Sequence, residues 1–338
     1  MQRSLRPRRR VFSAVAFAIG TLVAAPAASA QFTPSSLTFF GDSFTDTGNG
    51  DVFSNQYFGT DFTPSPPYAQ GRITNGFNYA DYLMQRFGFG VTANPSLLGG
   101  NNYAVGTATT GAFGAFGTPI GMLAQFGTFM GPADASGLYV LFGGANDLRD
   151  VAGLNVAQQD IAIQNAITNL GTISLGLYAK GARNFLVPNL PNLGLTPSAL
   201  ASSNSASLTA ASVRFNQLLA PQLAFWNASM PGANFLGLNL NNLFNNILTD
   251  VSQGGARYGF TNATIPCFVA PIPCSTSVFA DDLHPTTGAH QLISDAMYNR
   301  VVNNVDVSVV PEPSSFLLVG TGLLACVFAA RRRRSNAA

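Results

Sequence analysis

Short apolar runs that end abruptly at glycine or proline, alternating with helical patterns, constrain this chain more than any other feature. Leu37-Thr38-Phe39-Phe40 runs into Gly-Asp-Ser, and Gly137 to Phe142 (GLYVLF) runs into Gly-Gly-Ala-Asn-Asp. Asn184 to Val187 (NFLV) is closed by Pro188, and Asn234 to Leu240 (NFLGLNL) leads into a helical stretch. Runs of this length bounded by turn residues read as buried strands. Helical spacing covers 78–87 (Tyr79, Tyr82, Leu83, Arg86), 119–130, 155–180, 208–226, 241–251 and the stretch from Pro285 to about 302. The 155–180 segment is the clearest, with Ile161, Ile163, Ala166, Ile167, Leu170 and Ile173 on one stripe. Residues 45–76 and 99–118, rich in Gly, Asn and Thr, read as loops. Apolar strands alternating with helices predict an α/β chain with a parallel sheet covered on both faces. Ligands in such sheets bind beyond the C-terminal strand ends, where the Gly-Asp-Ser and Gly-Ala-Asn-Asp turns fall. No internal repeat and no second domain are visible.

The 338 residues give room for one large α/β domain. A charged fraction of 9% against 47% hydrophobic residues excludes an unfolded chain. Location of the charges excludes a nucleic-acid binder. Of 17 Lys and Arg, nine sit in two terminal runs: Arg3, Arg6, Arg8, Arg9 and Arg10, then Arg331 to Arg334. The remaining eight face all 15 acids, so the body carries a formal charge near −7 and repels phosphate backbones.

The two ends read as addresses. A basic stretch (MQRSLRPRRR), an apolar stretch from Val11 to about Val23 and Ala28-Ser29-Ala30 make residues 1–30 an export signal. Arg9-Arg10-Val11-Phe12 also fits the core of a twin-arginine signal, but Arg8 stands where Ser or Thr is usual, which favours the general secretory route. At the other end, Pro311-Glu312-Pro313 leads into about 17 apolar or small residues and then four arginines. That run just reaches spanning length, and the positive-inside tendency keeps the arginines cytoplasmic. This tripartite end resembles the PEP-CTERM sorting signal of Gram-negative bacteria. The resemblance implies export to the cell envelope or surface, recognition by an exosortase-type membrane enzyme and removal of the tail; a plain C-terminal membrane anchor is the alternative. The expected organisation is a signal peptide over 1–30, a catalytic domain over 31–308, and a sorting signal with its membrane segment over 309–338.

Cysteine usage agrees with export. Cys267 and Cys274 flank a Pro-rich loop, CFVAPIPC, and an oxidising compartment predicts a small-loop disulfide between them. Cys326 lies in the apolar tail. With no CxxC and two histidines, His284 and His290, neither a metal nor a cofactor is expected.

Four short segments carry the chemistry: Phe39-Phe40-Gly41-Asp42-Ser43, Asn102-Tyr103-Ala104-Val105-Gly106, Gly144-Ala145-Asn146-Asp147 and Asp281-Asp282-Leu283-His284-Pro285. Each alone is a common turn; their order and their placement at strand ends make them a set. Ser43, at a strand-to-helix turn, needs a base to take its proton. His284 is the natural base, and Asp281, three residues earlier, can reach its Nδ1 and fix the tautomer. Pro285 biases His284 toward an extended backbone.

These blocks resemble the SGNH hydrolases of the GDSL esterase/lipase family, from about Leu37 to Val302. Gly71-Arg72-Ile73-Thr74-Asn75-Gly76 and Tyr79-Ala80-Asp81-Tyr82-Leu83 also look like the family's segment after its first block. The resemblance implies a flavodoxin-like three-layer α/β/α sandwich with a five-stranded parallel sheet. It implies a serine esterase or lipase, with the Ser43, Gly106 and Asn146 groups as oxyanion donors: two backbone N–H groups and a side-chain amide; the apolar loops around 112–130 and 257–279 point to lipid or acyl esters. The family's Asp-x-x-His spacing selects Asp281 over Asp282. Two positions depart from the pattern. The first block reads Gly-Asp-Ser-Phe where Leu is usual, and the second reads Val-Gly-Thr-Ala where many relatives have two glycines, so the donor is either Gly106 or Thr107. Asp42 and Asp147 read as turn-bracing residues, and His290 as solvent-facing. The same residues would serve a carbohydrate O-deacetylase, and the Asn/Gly/Thr-rich loops and sorting tail would also suit a surface protein that only binds.

Overall fold

The computed structural model describes residues 32–114 and 117–306; the predicted export signal and C-terminal apolar segment lie outside them. Among the described residues no helix is long and apolar enough to cross a membrane.

The elements run in alternation. Strand β1 (Leu37–Gly41) is followed by helices α1 (Asn49–Phe58), α2 (Tyr79–Phe87) and α3 (Met122–Thr128). Strand β2 (Leu138–Phe142) is followed by α4 (Ala145–Asp150) and α5 (Val156–Ala179), then β3 (Asn184–Pro188), α6 (Pro197–Leu200) and α7 (Ser205–Ser229). Strand β4 (Asn234–Leu238), α8 (Leu240–Ser252) and α9 (Thr287–Asn303) complete the order. The sheet is parallel throughout, in the order β1-β2-β3-β4, with Phe39 opposite Val140 and Phe185 opposite Phe235. Every residue of β1 and β2 is buried, which is why both read as unbroken apolar runs. Helix α5 packs on α7 and α3, α2 packs on α9, and β4 touches both α7 and α9. The result is a three-layer α/β/α arrangement.

Five strands are expected, and four are formed among the described residues. The fifth position, outside β1, is held by the extended segment 101–105. Phe39 N–H donates to Asn101 O, Tyr103 N–H to Phe39 O and Val105 N–H to Gly41 O, with Phe39 bridged to Asn102. That segment follows β1 as the edge of the sheet but is too short and too tied to its own loop to continue as a strand; Asn102 also bridges to Pro95.

Helix α1 lies within the stretch read as loop. Its buried residues are Asn49, Gly50 and Ser54, so the face turned to the protein is small and polar and leaves no apolar stripe. A buried carboxylate starts the helix: Asp46 accepts the N–H groups of Gly48, Asn49 and Gly50 at 2.8–2.9 Å. Helices α2 and α5 begin at Asn78 and Asn155 with reciprocal capping by Asp81 and Gln158.

Candidate active site

The nucleophile turn is fixed before any catalytic contact is made. Gln125 of α3 clamps Gly41, accepting its N–H at 3.1 Å and donating to its carbonyl at 2.8 Å. A Cβ on Gly41 would sit 2.5 Å from the Phe142 carbonyl, so only glycine lets β1 end this close to β2. Asp42, fully buried, accepts the Phe44 N–H at 3.1 Å. Burial pushes its carboxyl up to about 6, partly offset by that hydrogen bond. Among the described residues the Ser43 N–H has no acceptor.

The structure brings Ser43, His284 and Asp281 together. Ser43 Oγ lies 2.8 Å from His284 Nε2, and His284 Nδ1 lies 2.9 and 2.8 Å from the two Asp281 oxygens. The Asp281–His284 turn is pinned by its own backbone: Leu283 and His284 N–H donate to Asp281 Oδ1, and Ala280 N–H donates to the His284 carbonyl. From the segment after the first block, Thr74 Oγ1 donates to the Pro285 carbonyl and Asn75 Oδ1 accepts the Thr287 N–H. Burial alone would raise the Asp281 carboxyl. The hydrogen bond and charge of His284, with the two N–H groups, outweigh it and hold the group down at about 2. Asp282 is exposed, and both contacts of the imidazole Nδ1 go to Asp281.

Tyr68 joins this set without any signal in the sequence. Its hydroxyl donates to Asp281 Oδ2 at 2.8 Å, across 213 positions. Burial first, then the Asp281 charge, push the phenol well above its ordinary value, so it stays a donor. Its ring meets Phe268 edge-on at 5.1 Å. Phe268 lies in the loop closed by the Cys267–Cys274 disulfide (Cα–Cα 5.2 Å), and that loop's Cys267 and Phe268 N–H groups donate to the carbonyls of Phe279 and Ala280. The bridged loop therefore braces the segment that leads into Asp281.

On the other side of Ser43, the structure departs from expectation. The Gly106 N–H, expected to face an oxyanion, donates at 2.7 Å to Asp46 Oδ2. Asp46 thus takes four backbone N–H groups. Its fully buried carboxylate needs every one, since burial still pushes its carboxyl up to about 6. Thr107, the other candidate in that block, is turned to φ 66°, a left-handed backbone uncommon outside glycine. Asn146 opens α4; its Nδ2 donates to the Ala108 carbonyl at 2.9 Å, which occupies one of its two hydrogens. Asp147 accepts the N–H and hydroxyl of Thr110, tying the second block to the third.

His290 is the other correction. It reads as solvent-facing but is 1% exposed, on the inward face of α9 with Ile293, Met297 and Val301. The spacing of those residues was the signal that it faces the core. Phe44 stands between the two imidazoles, 5.9 Å from His284 and 5.8 Å from His290. Burial, then the charge on His284, push His290 down to about 3, and its Nδ1 has no partner among the described residues. Among the described residues no group of three His, Cys, Asp or Glu could hold a metal.

The geometry is that of a hydroxyl within hydrogen-bond reach of an imidazole that is itself paired with a carboxylate, which suits acyl transfer. The profile of GDSL-like lipases and acylhydrolases matches residues 37–297, and the PEP-CTERM protein-sorting motif matches 309–334. A GDSL esterase/lipase of Arabidopsis thaliana is 26% identical over 342 aligned residues, covering 85% of this chain and 92% of the relative. An uncharacterised Pseudomonas putida protein from the trpE-trpG intergenic region is 29% identical over 82% of this chain, which spans half its length. Among solved structures, an acetylxylan esterase from Geobacillus stearothermophilus aligns over 80% of this chain and 96% of its own, with TM-score 0.38 and 12% identity. The chain belongs to the GDSL-like lipase/acylhydrolase family of ester hydrolases and carries a PEP-CTERM sorting motif at its C-terminal end.

Proposed function

We propose that this protein is an exported serine esterase that cleaves carboxylic esters of lipids or other acyl compounds through an acyl-enzyme on Ser43. The observation that carries the reading is the continuous Ser43–His284–Asp281 chain of 2.8 Å contacts. His284 Nε2 takes the Ser43 proton as Oγ attacks the ester carbonyl. The tetrahedral intermediate collapses, and the same nitrogen returns that proton to the departing alkoxide. Water then repeats the sequence on the acyl-enzyme and frees the carboxylic acid. Asp281, ionised at any pH near neutrality, keeps Nδ1 protonated and stabilises the imidazolium.

The oxyanion is met by the Ser43 N–H and the Asn146 amide. With Gly106 given over to Asp46, the second block's contribution falls to Thr107, whose backbone is turned out of the regular conformation. Export and handling by an exosortase-type enzyme rest on the sorting motif at 309–334. The test is hydrolysis of p-nitrophenyl esters by the wild type and Ser43→Ala, with fluorophosphonate labelling alongside. Activity and label should both vanish in the variant. Retained activity would end the proposal.

A further inference from the structure

We infer that Tyr68 and Phe268 are positioning residues for Asp281 and that the Cys267–Cys274 bridge holds them in place, so that full esterase activity requires the oxidised protein. This rests on the serine-esterase reading above.

The two oxygens of Asp281 are held in different ways. Oδ1 accepts the N–H groups of Leu283 and His284, so its own turn fixes it. Oδ2 accepts from the His284 ring and from the Tyr68 hydroxyl, each at 2.8 Å, and from no backbone donor among the described residues. The terminal torsion of a carboxylate is broad. The imidazole cannot fix it, because the imidazole is the group that Asp281 has to orient. Tyr68 is therefore the outside support that keeps Oδ2 turned to Nδ1.

Little in its own segment holds Tyr68. Residues 64–67 are exposed, and the Tyr68 N–H meets the Pro64 carbonyl at 3.4 Å, a long contact. The ring is set by Phe268, which meets it edge-on at 5.1 Å and 89°. Phe268 is tied to the approach to Asp281, donating its N–H to the Ala280 carbonyl at 2.9 Å. Beyond it the loop is loose. Among the described residues no N–H group from Val269 to Pro273 reaches the body of the fold; those of Val269 and Ile272 bond to Pro266 and Ala270. Cys274 is anchored again, its carbonyl accepting the Ser277 N–H. The bridge joins Cys267 to that anchored point. Closed, it keeps Phe268 against Tyr68; open, it leaves the loop free to carry Phe268 off the ring.

The opening is a two-electron exchange. A dithiol reductant attacks the bridge, leaves two cysteine thiols and is itself oxidised to a disulfide. Cytosolic thiols keep such pairs open and an oxidising compartment closes them. Full activity thus arrives with export.

The test measures kcat and KM for a p-nitrophenyl ester on the full-length protein, oxidised and after dithiothreitol, with thiols counted by alkylation and mass. Reduction should expose the two bridge thiols and lower kcat by about threefold to tenfold with KM unaltered, and reoxidation should restore it. Tyr68→Phe should show the same fall while still bridged. Reducing that variant should cost less than about twofold more, because both changes act on one contact. Phe268→Leu, which keeps the bridge and the phenol, should fall between the wild type and Tyr68→Phe. A bridge that only stabilises the fold would lower kcat by the same factor in the wild type and in Tyr68→Phe, and that result overturns the inference. So does a kcat unmoved by reduction, or a loss that appears in KM. If reduction abolishes the melting transition, the oxidised Tyr68→Phe and Phe268→Leu variants and their double decide: losses that do not add support the inference, and losses that add overturn it. Each of these leaves the esterase reading standing. No hydrolysis of any ester by the oxidised protein, together with no fluorophosphonate label on Ser43, removes both.

Discussion

Two carboxylates, Asp46 buried and Asp281 half-buried, serve the two sides of the candidate site, and their surroundings have opposite effects. Asp281 sees an imidazole, a phenol and two backbone N–H groups, and its carboxyl is held down at about 2. Asp46 sees four backbone N–H groups and, among the described residues, no cationic partner, and its carboxyl is pushed up to about 6. Four donors on each carboxylate accompany opposite outcomes. Neutral donors soften desolvation, but at Asp281 an ionisable partner adds a charge–charge attraction that burial strengthens. The comparison separates two duties. On the proposed mechanism Asp281 is a charge that the proton transfer uses, whereas Asp46 gathers the start of α1 and the 106 loop onto one point.

Substitutions that abolish each duty should differ in size and kind. Asp281→Asn keeps the shape and removes the charge, and kcat should fall by about 10⁴-fold with little change in melting temperature. Asn146→Ala, which removes the proposed side-chain oxyanion donor, should lower kcat by about 10²- to 10³-fold. Asp46→Asn cannot accept four N–H groups, so it should cost about 1–3 kcal/mol for each donor left unpaired. It should be seen first as a lower melting temperature, with activity reduced through the loosened loop. A larger loss of kcat in Asp46→Asn than in Asp281→Asn would reverse the assignment of duties. Tyr68→Phe is the smallest expected change: one hydrogen bond to a carboxylate that keeps its other partners, lowering kcat by about threefold to tenfold with KM unaltered.

The pH dependence sharpens the contrast further. Asp46 folded binds a proton below about 6, while an ordinary aspartate binds it only below 3.8. Its contribution to stability is therefore greatest below 3.8 and falls as pH rises through about 6. Asp42 acts in the same direction. Asp281 is opposite: its contribution is full above 3.8 and is lost as pH falls toward about 2. His290, neutral when buried, also stabilises at the higher pH, with its contribution lost between 6.5 and about 3. The penalty of Asp46→Asn, read as the melting-temperature difference from wild type, should thus be largest near pH 4 and shrink toward pH 7. A penalty that grows with pH would mean that Asp46 is charged without cost.

What was legible in the sequence follows a physical line. The strands and the Ser43, Asn146 and Asp281–His284 turns were visible because each is local: an apolar run, a turn, a three-residue spacing. Helix α1 was hidden because Asn49, Gly50 and Ser54 face the protein while Tyr57 and Phe58 face out, the reverse of the pattern that reveals a helix. Tyr68 was hidden because nothing near it in the chain refers to Asp281, 213 positions away. The engagement of the Gly106 N–H is not legible in the sequence, because a motif names a donor but not its competitor, and Asp46, sixty positions earlier, claims it.

The 241 positions between Ser43 and His284 also set a schedule. A ribosome adding about 5–20 residues per second makes the serine roughly ten to fifty seconds before its histidine exists. Through that interval the growing chain holds a hydroxyl with no imidazole to activate it, and a chain truncated anywhere before residue 284 never acquires one. An unfinished copy therefore lacks the base that the proposed esterase chemistry needs until synthesis is nearly complete.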